Sequence, residues 1–329
     1  MKLKLGLLGC SNVAEKNLFP YLISSQYYEL YSVGSRNPAK AQRWSEKYSA
    51  SHYGTYEEVL ESEIDVVYIS LPISMHEEWS IKAAKKGIHV ICEKSSTISY
   101  QSAKKMVQSC KDNKVRILEA FSFRFHIQHE RVLSLIKKNG TEILNFYGTY
   151  GMPAFPKNDI RWNKDLGGGV LNDVACYPVC ASRLIFQDEP ESISSILSID
   201  KESQVDIKVD IFATFKNGKS AFLSSGFNHY YQSKYVVWGD NAKYSVERAY
   251  AVPPNHSSKI SIDQNDLIKD LQLEPFNQFA EMFDAFYGEV TQTKKSSFNY
   301  EEDLLYQSIY MEAVRMSALH NQKIFLKDI

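Results

Sequence analysis

The segment Gly6-Leu7-Leu8-Gly9-Cys10-Ser11-Asn12-Val13-Ala14 joins a short apolar run to an amphipathic stretch through a glycine-bearing turn. Such a turn lets backbone N–H groups at a helix N-terminus meet an anion with no side chain in between. Read as a G-x-G-x-x-A dinucleotide turn, Gly9 holds the first position, Ser11 replaces the second glycine and Ala14 is the small third residue, with Asn12 and Val13 between them. The same alternation then repeats. Residues 3–8, 29–34, 66–71, 89–92 and 115–118 read as buried strands, and 13–25, 38–48, 76–86 and 100–113 carry helical spacing. This order predicts a doubly wound parallel sheet with right-handed crossovers, a Rossmann domain over residues 1–122.

Beyond residue 122 the pattern changes. A helix predicted over 126–138 precedes strictly alternating segments such as Val205-Asp206-Ile207-Lys208-Val209-Asp210-Ile211, the pattern of an antiparallel strand with one covered face. Asn217-Gly218 supplies a hairpin turn into 220–227, further strands are predicted over 230–238 and 243–250, helices over 275–287 and 301–320, and an edge strand over 323–326. The fold class is therefore α/β. The Rossmann sheet is followed by an α+β domain over 123–329, built on a mainly antiparallel sheet.

Composition narrows the function. Lys and Arg number 38 against 39 Asp and Glu, a net charge of -1, so nothing draws the chain to nucleic acid or an anionic membrane. No apolar run is long enough to span a bilayer. Cys10, Cys92, Cys110, Cys176 and Cys180 are scattered without a CxxC pair, as expected of reduced thiols in a cytoplasmic protein that holds no metal. His126 and His129 are three apart on a helix but lack an evident third ligand. The 21 tyrosines and 17 phenylalanines exceed what a monomer readily hides. Phe146, Tyr147, Tyr150, Phe212, Phe215, Phe222, Phe227, Tyr230, Tyr231, Tyr235 and Trp238 are placed on the open sheet, predicting a homodimer or homotetramer through it.

The second strand ends in Val33-Gly34-Ser35-Arg36, where an NAD site would carry an acidic residue for the ribose 2′-hydroxyl. A hydroxyl and a guanidinium there suit a 2′-phosphate, favouring NADP(H) over NAD(H). Lys40, one helical turn on, is either a second positive charge or solvated. Lys94 follows the end of a parallel strand, the edge at which such sheets bind ligands. Asp173 and Tyr177 are four apart on a predicted helix and share a face. Gly167-Gly168-Gly169 before them lets backbone pass close to a ligand, Arg161 and Trp162 are candidate contacts to cofactor or sugar phosphate, and Asn277 is a candidate contact to a substrate hydroxyl.

Ile69-Ser70-Leu71-Pro72 with Met75-His76, then Cys92-Glu93-Lys94, then Leu166-Gly167-Gly168-Gly169-Val170-Leu171-Asn172-Asp173-Val174-Ala175-Cys176-Tyr177-Pro178 together resemble the Gfo/Idh/MocA oxidoreductases over nearly the whole chain. The turn at Gly9 to Ala14, the region 123–129 and the stretch from Gly151-Met152-Pro153 to Arg161-Trp162 are most similar to the NADP-dependent nucleotide-sugar 3-ketoreductases of deoxysugar biosynthesis. Dihydrodiol and pentose dehydrogenases share the tyrosine-bearing helix motif. The resemblance implies that the 123–329 domain carries a large open, mainly antiparallel sheet and serves substrate binding and oligomerisation, with cofactor contacts at Leu71, Pro72, His76, Glu93 and Lys94, and substrate contacts at Phe123, Arg124, His126, Asp173 and Tyr177. It further implies that Tyr177 is the general acid in ketone reduction, that Lys94 polarises the same oxygen and that Asp173 orients a sugar hydroxyl or the lysine. Either Tyr177 or Lys94 delivers the proton. Where the family usually reads Glu-Lys-Pro, this chain has Ser95, so other contacts must hold Lys94 or the turn is looser. Two further readings stand beside sugar-ketone reduction: oxidation of a free sugar, cyclitol or dihydrodiol, and a non-catalytic NADP-binding sensor or scaffold.

Overall fold

The N-terminal apolar runs build a six-stranded, wholly parallel sheet in the computed structural model, which describes residues 2–329. Its strands are β1 (Leu3–Leu8), β2 (Tyr28–Gly34), β3 (His52–Gly54), β4 (Val66–Ile69), β5 (His89–Cys92) and β6 (Ile117–Glu119), in the order β3-β2-β1-β4-β5-β6. The chain reverses its winding between β1 and β4. Beyond their C-terminal ends lies the crevice in which such sheets bind ligands. All four residues of β4 are buried, which is why it reads as a continuous apolar run with no alternation.

The connecting helices are α1 (Phe19–Ser24), α2 (Pro38–Tyr48), α3 (Tyr56–Glu61), α4 (His76–Lys85) and α5 (Tyr100–Asp112). Asn37 caps α2, whose first helical residue is Pro38, and Ser99 caps α5. A π-helical turn, Ala14–Leu18, precedes α1. The sequence reading passed over β3 and α3. Both are short, but Thr55 and Glu58 form a reciprocal capping box at the start of α3, a signal present in the sequence.

The second sheet has nine strands. Along the chain come α6 (Ile127–Asn139), β7 (Ile143–Met152), α7 (Cys176–Phe186), β8 (Ser192–Ile199), β9 (Asp206–Thr214), β10 (Ser220–Phe227), β11 (Gln232–Gly239), β12 (Lys243–Glu247), β13 (Lys259–Gln264), β14 (Leu267–Gln272), α8 (Gln278–Val290), α9 (Tyr300–His320) and β15 (Ile324–Phe325). The sheet order is β14-β13-β12-β11-β7-β10-β9-β8-β15. It is mainly antiparallel, with one parallel pair, β7 and β10. At the hairpin turn Asn217 and Gly218 have φ of 59° and 75°, the left-handed geometry that an Asn-Gly turn supplies.

The aromatic surplus divides between the two faces of this sheet. Phe146, Tyr150, Phe215, Phe227 and Tyr235 are buried in the core with Val179 and Cys180 of α7. Their period-2 neighbours face the other way, and Phe212, Phe222 and Trp238 remain 37%, 42% and 52% exposed. Tyr230 lies outside the strands and is 91% exposed. The open face therefore carries only part of the aromatic set assigned to it from sequence, because strand alternation sends every second ring into the core.

The chain forms two compact units, residues 2–120 with 279–305, and 121–278 with 306–329. The sequence reading kept 123–329 together, yet most of α8 packs against the first unit. Phe279, Met282, Phe283 and Phe286 are all buried. The Phe283 ring meets those of Tyr21, Tyr28, Tyr68 and Phe279 at 5.4, 5.5, 5.6 and 5.0 Å. Arg116, just before β6, donates from Nε to Glu301 at 2.8 Å and also pairs with Glu289. Among the described residues no helix is long and apolar enough to cross a membrane, and all five cysteines are buried.

Phe283→Ala empties the centre of this aromatic group. It is expected to lower unfolding free energy by about 3–5 kcal/mol in a urea titration. A loss under 1 kcal/mol would show that α8 contributes little to the first unit.

Candidate active site

The turn after β1 is shaped by a close backbone approach. Gly9 has φ of 100°, and a Cβ there would lie 2.5 Å from the Ser70 carbonyl oxygen, so glycine alone fits. Its N–H donates to Gly34 O at 3.0 Å, tying the ends of β1 and β2 together. Ser11, which stands where a second glycine is usual, accepts from the Ala14 N–H at 3.1 Å and meets Ser70 Oγ at 2.5 Å. Its hydroxyl thus orders the turn, while Asn12 and Val13 are exposed. At the end of β2, Ser35 is buried and accepts from the Asn37 N–H at 3.2 Å, and Arg36 is exposed. No acidic residue occupies that turn. Lys40, a candidate for the same anion, instead donates to Cys10 O at 2.8 Å and braces the first turn. These residues fit a 2′-phosphorylated dinucleotide: a backbone cradle closed to side chains, then a hydroxyl and a guanidinium at the ribose position.

The Lys94 turn is held without proline. The Lys94 N–H donates to Glu93 Oε2 at 3.2 Å, and the Tyr68 hydroxyl donates to Glu93 Oε1. Burial raises the Tyr68 hydroxyl well above its ordinary pKa, and the Glu93 carboxylate adds to the rise. The Ser96 N–H donates to Glu119 Oε1 at 2.8 Å, and His76 reaches Ser95 O at 3.1 Å. The Lys94–Ser95 peptide is cis. The turn after β5 thus has side-chain contacts of its own in the absence of a proline. Leu71 is buried and Pro72 half-buried at the end of β4.

In the second unit, a left-handed glycine and a distant carboxylate start the helix that carries Asp173 and Tyr177. Gly169 has φ of 109°, and a Cβ there would collide with Asp206 Oδ1. Asp206 Oδ2 accepts from the Leu171 N–H at 2.5 Å, capping a π-helical turn, Leu171–Ala175, that runs into α7. Burial raises the Asp206 pKa, and the N–H groups aimed at it oppose the rise. Asn172 donates to Gly167 O at 3.0 Å and accepts from Arg315 at 2.5 Å, locking the glycine loop.

Asp173 is paired with Arg161, whose Nε donates to Oδ2 at 2.6 Å while Nη1 reaches Asp159 at 3.0 Å. Burial works against the Arg161 charge, and the Asp173 and Asp159 carboxylates together outweigh it. Arg161 is thereby an orienting partner for Asp173. The Tyr177 ring sits among Phe121, Phe123, Tyr150 and Tyr250 at 5.6, 5.7, 5.3 and 5.8 Å. Phe123 is fully buried and shapes this nest. Arg124 Nη1 lies 3.6 Å from Cys180 Sγ. The Trp162 indole packs on Phe227 at 5.7 Å, with its buried N–H lacking an acceptor. His126 Nδ1 accepts from the Gln128 N–H at 3.1 Å as the cap of α6. Asn277 is exposed, whereas the adjacent Gln278 is buried and donates to Tyr250 O at 3.1 Å. Among the described residues no three His, Cys, Asp or Glu side chains are grouped to hold a metal ion.

Residues 3–121 match the oxidoreductase family with an NAD-binding Rossmann fold, and 139–245 match the GFO/IDH/MocA C-terminal domain. A dTDP-3,4-didehydro-2,6-dideoxy-alpha-D-glucose 3-reductase of Saccharopolyspora spinosa is 30% identical over 289 residues, 87% of each chain. The chain belongs to the Gfo/Idh/MocA oxidoreductase family. KijD10, a 3-ketoreductase from Actinomadura kijaniata solved with NADP and TDP-benzene, superposes with a TM-score of 0.92 at 27% identity, covering 96% of this chain and 98% of that one. An NADP-dependent D-xylose 1-dehydrogenase of Haloferax volcanii is 27% identical over 285 residues, 85% of this chain and 87% of the relative.

Three supports of this Gfo/Idh/MocA site were not singled out from sequence: Tyr68, Glu119 and Asp206. Glu119 closes an otherwise apolar strand, which is a legible signal for a buried acceptor. Asp206 opens the alternating strand and reads there as a solvent-facing charge. Three histidines are kept neutral, first of all by burial: His76 is pushed down to about 4, His126 to about 4 and His129 to about 3. The unfolded chain, with histidine near its ordinary value of about 6.5, takes up protons that the folded one refuses. Stability is therefore full above pH 6.5 and is expected to fall towards pH 4, by up to ~4 kcal/mol per pH unit from the three together. Urea midpoints at pH 7, 6 and 5 check this, and a flat profile down to pH 5 would contradict it.

Proposed function

We propose that this oxidoreductase reduces the C3 keto group of a nucleotide-linked deoxysugar with NADPH. The observation that carries the reading is Tyr177 and an Arg161-paired Asp173 at the head of one capped helix, in a chain similar to a 3-ketoreductase over 96% of its length. Bound NADPH supplies hydride to the carbonyl carbon. The Tyr177 hydroxyl donates the proton to the carbonyl oxygen, and the Lys94 ammonium polarises that oxygen and assists the transfer. Asp173, oriented by Arg161, accepts a hydrogen bond from a sugar hydroxyl. Ser35 and Arg36 hold the 2′-phosphate that distinguishes NADPH from NADH. Five scattered, buried cysteines suit a cytoplasmic setting. Similarity to the D-xylose dehydrogenase favours oxidation of a free sugar as the second reading.

Tyr177→Phe is expected to lower kcat for keto-sugar reduction at least 100-fold, with the NADPH Kd from fluorescence titration within threefold of wild type. Unchanged turnover would remove Tyr177 from its role. Oxidation of D-xylose with NADP+, in the absence of keto-sugar reduction, would select the second reading.

The open face of the nine-stranded sheet fits a second copy of the chain, giving a homodimer or homotetramer. Tyr147 stacks on Phe222 at 5.2 Å and lies 6.3 Å from Trp238, and Phe212 lies 4.9 Å from Phe222, so these rings form one contiguous patch. Soluble monomers rarely leave such patches in water. Light scattering is expected to give at least a dimer for the wild type and a monomer for the double variant Phe222→Lys, Trp238→Lys. A monomeric wild type at micromolar concentration would exclude this interface.

A further inference from the structure

His76 is buried at the start of α4, and both of its ring nitrogens face backbone carbonyls. Nε2 lies 2.8 Å from Leu71 O, in the turn after β4, and Nδ1 lies 3.1 Å from Ser95 O, in the turn that carries Lys94. A carbonyl oxygen can only accept, so each contact calls for an N–H on the ring, and a neutral imidazole has one. An imidazolium would serve both, but burial disfavours the charge and the nearby Lys94 ammonium adds to the penalty. The ring thus serves one carbonyl at a time.

We propose that His76 is a positioning residue that couples the two turns of the catalytic crevice, holding the cofactor turn through Leu71 O and the Lys94 turn through Ser95 O. Without proline after Lys94, the Ser95 carbonyl is an anchor that orients the lysine. The Leu71 carbonyl sits at the switch between β4 and β1, across from the Gly9 cradle. Tautomer exchange, which moves the N–H from one nitrogen to the other, transfers the donated bond between the two turns with no change of charge.

Two substitutions separate the bonds, because the glutamine amide nitrogen stands close to the place of Nε2 and that of asparagine close to Nδ1. His76→Gln is expected to keep the NADPH Kd within threefold and lower kcat for keto-sugar reduction at least tenfold, leaving KM for the sugar within threefold. His76→Asn is expected to keep kcat within threefold and weaken NADPH at least tenfold. The inference overturns if the two variants behave alike, if the pattern is reversed or if both match wild type. The turnover arm rests on the reductase reading, whereas NADPH titration does not. A wild type that fails to reduce the sugar sinks that reading, and the affinity difference between the variants still decides the role of His76.

Discussion

The Ser70 carbonyl lies where a Cβ on Gly9 would have to be, and this contact places the ends of β1 and β4 closer than any side chain allows. Much of the first unit's crevice follows from it. Ser11 meets the Ser70 hydroxyl while capping its own turn, and Gly9 ties β1 to β2 through Gly34. The next residue after Ser70 offers its carbonyl to His76, whose other nitrogen reaches the turn of Lys94, and the Ser96 N–H ends the sequence on Glu119. The Gly9 cradle and the Lys94 turn are therefore linked through buried polar contacts, with the single N–H of His76 shared between two carbonyls.

The second unit solves a related problem by different means. A helix with a buried N-terminus needs acceptors for its first N–H groups, and Gly169 leaves no room for a side chain where Asp206 comes in to provide one. The helix then presents Asp173 to Arg161 and Tyr177 to a wall of aromatic rings. Arg161 is spent on two carboxylates and orients one of them. Both Asp173 and Tyr177 sit on one helical segment, whose start is held by Asp206 of β9 and whose Asp173 is held by Arg161 from the segment before the glycine loop.

What was legible in the sequence followed from local rules. Alternation of apolar runs and amphipathic stretches marked the Rossmann strands and helices, strict period-2 patterning marked β9, and the Asn217-Gly218 turn marked the start of β10. Pro38 fits the first turn of α2. Short elements escaped, since three residues of β3 and six of α3 carry too few positions for a period to show. The return of α8 to the first unit escaped for another reason. Its apolar stripe states that one face must be buried, not against which sheet, and Tyr21, Tyr28 and Tyr68 are more than 200 positions away.

By itself the sequence determined the class of fold, the glycine turn, the hydroxyl and guanidinium that favour a 2′-phosphate, and the residue types available for proton transfer. These are properties of a residue and its near neighbours in the chain. Only the tertiary structure decided which of them hold the others in place. It turned Lys40 onto a backbone carbonyl, gave His76 to two turns, paired Arg161 with Asp173 and made Asp206 a helix cap. The physical reason is that a buried polar group must find its partner wherever packing brings one, and that partner is set by the fold, not by distance along the chain.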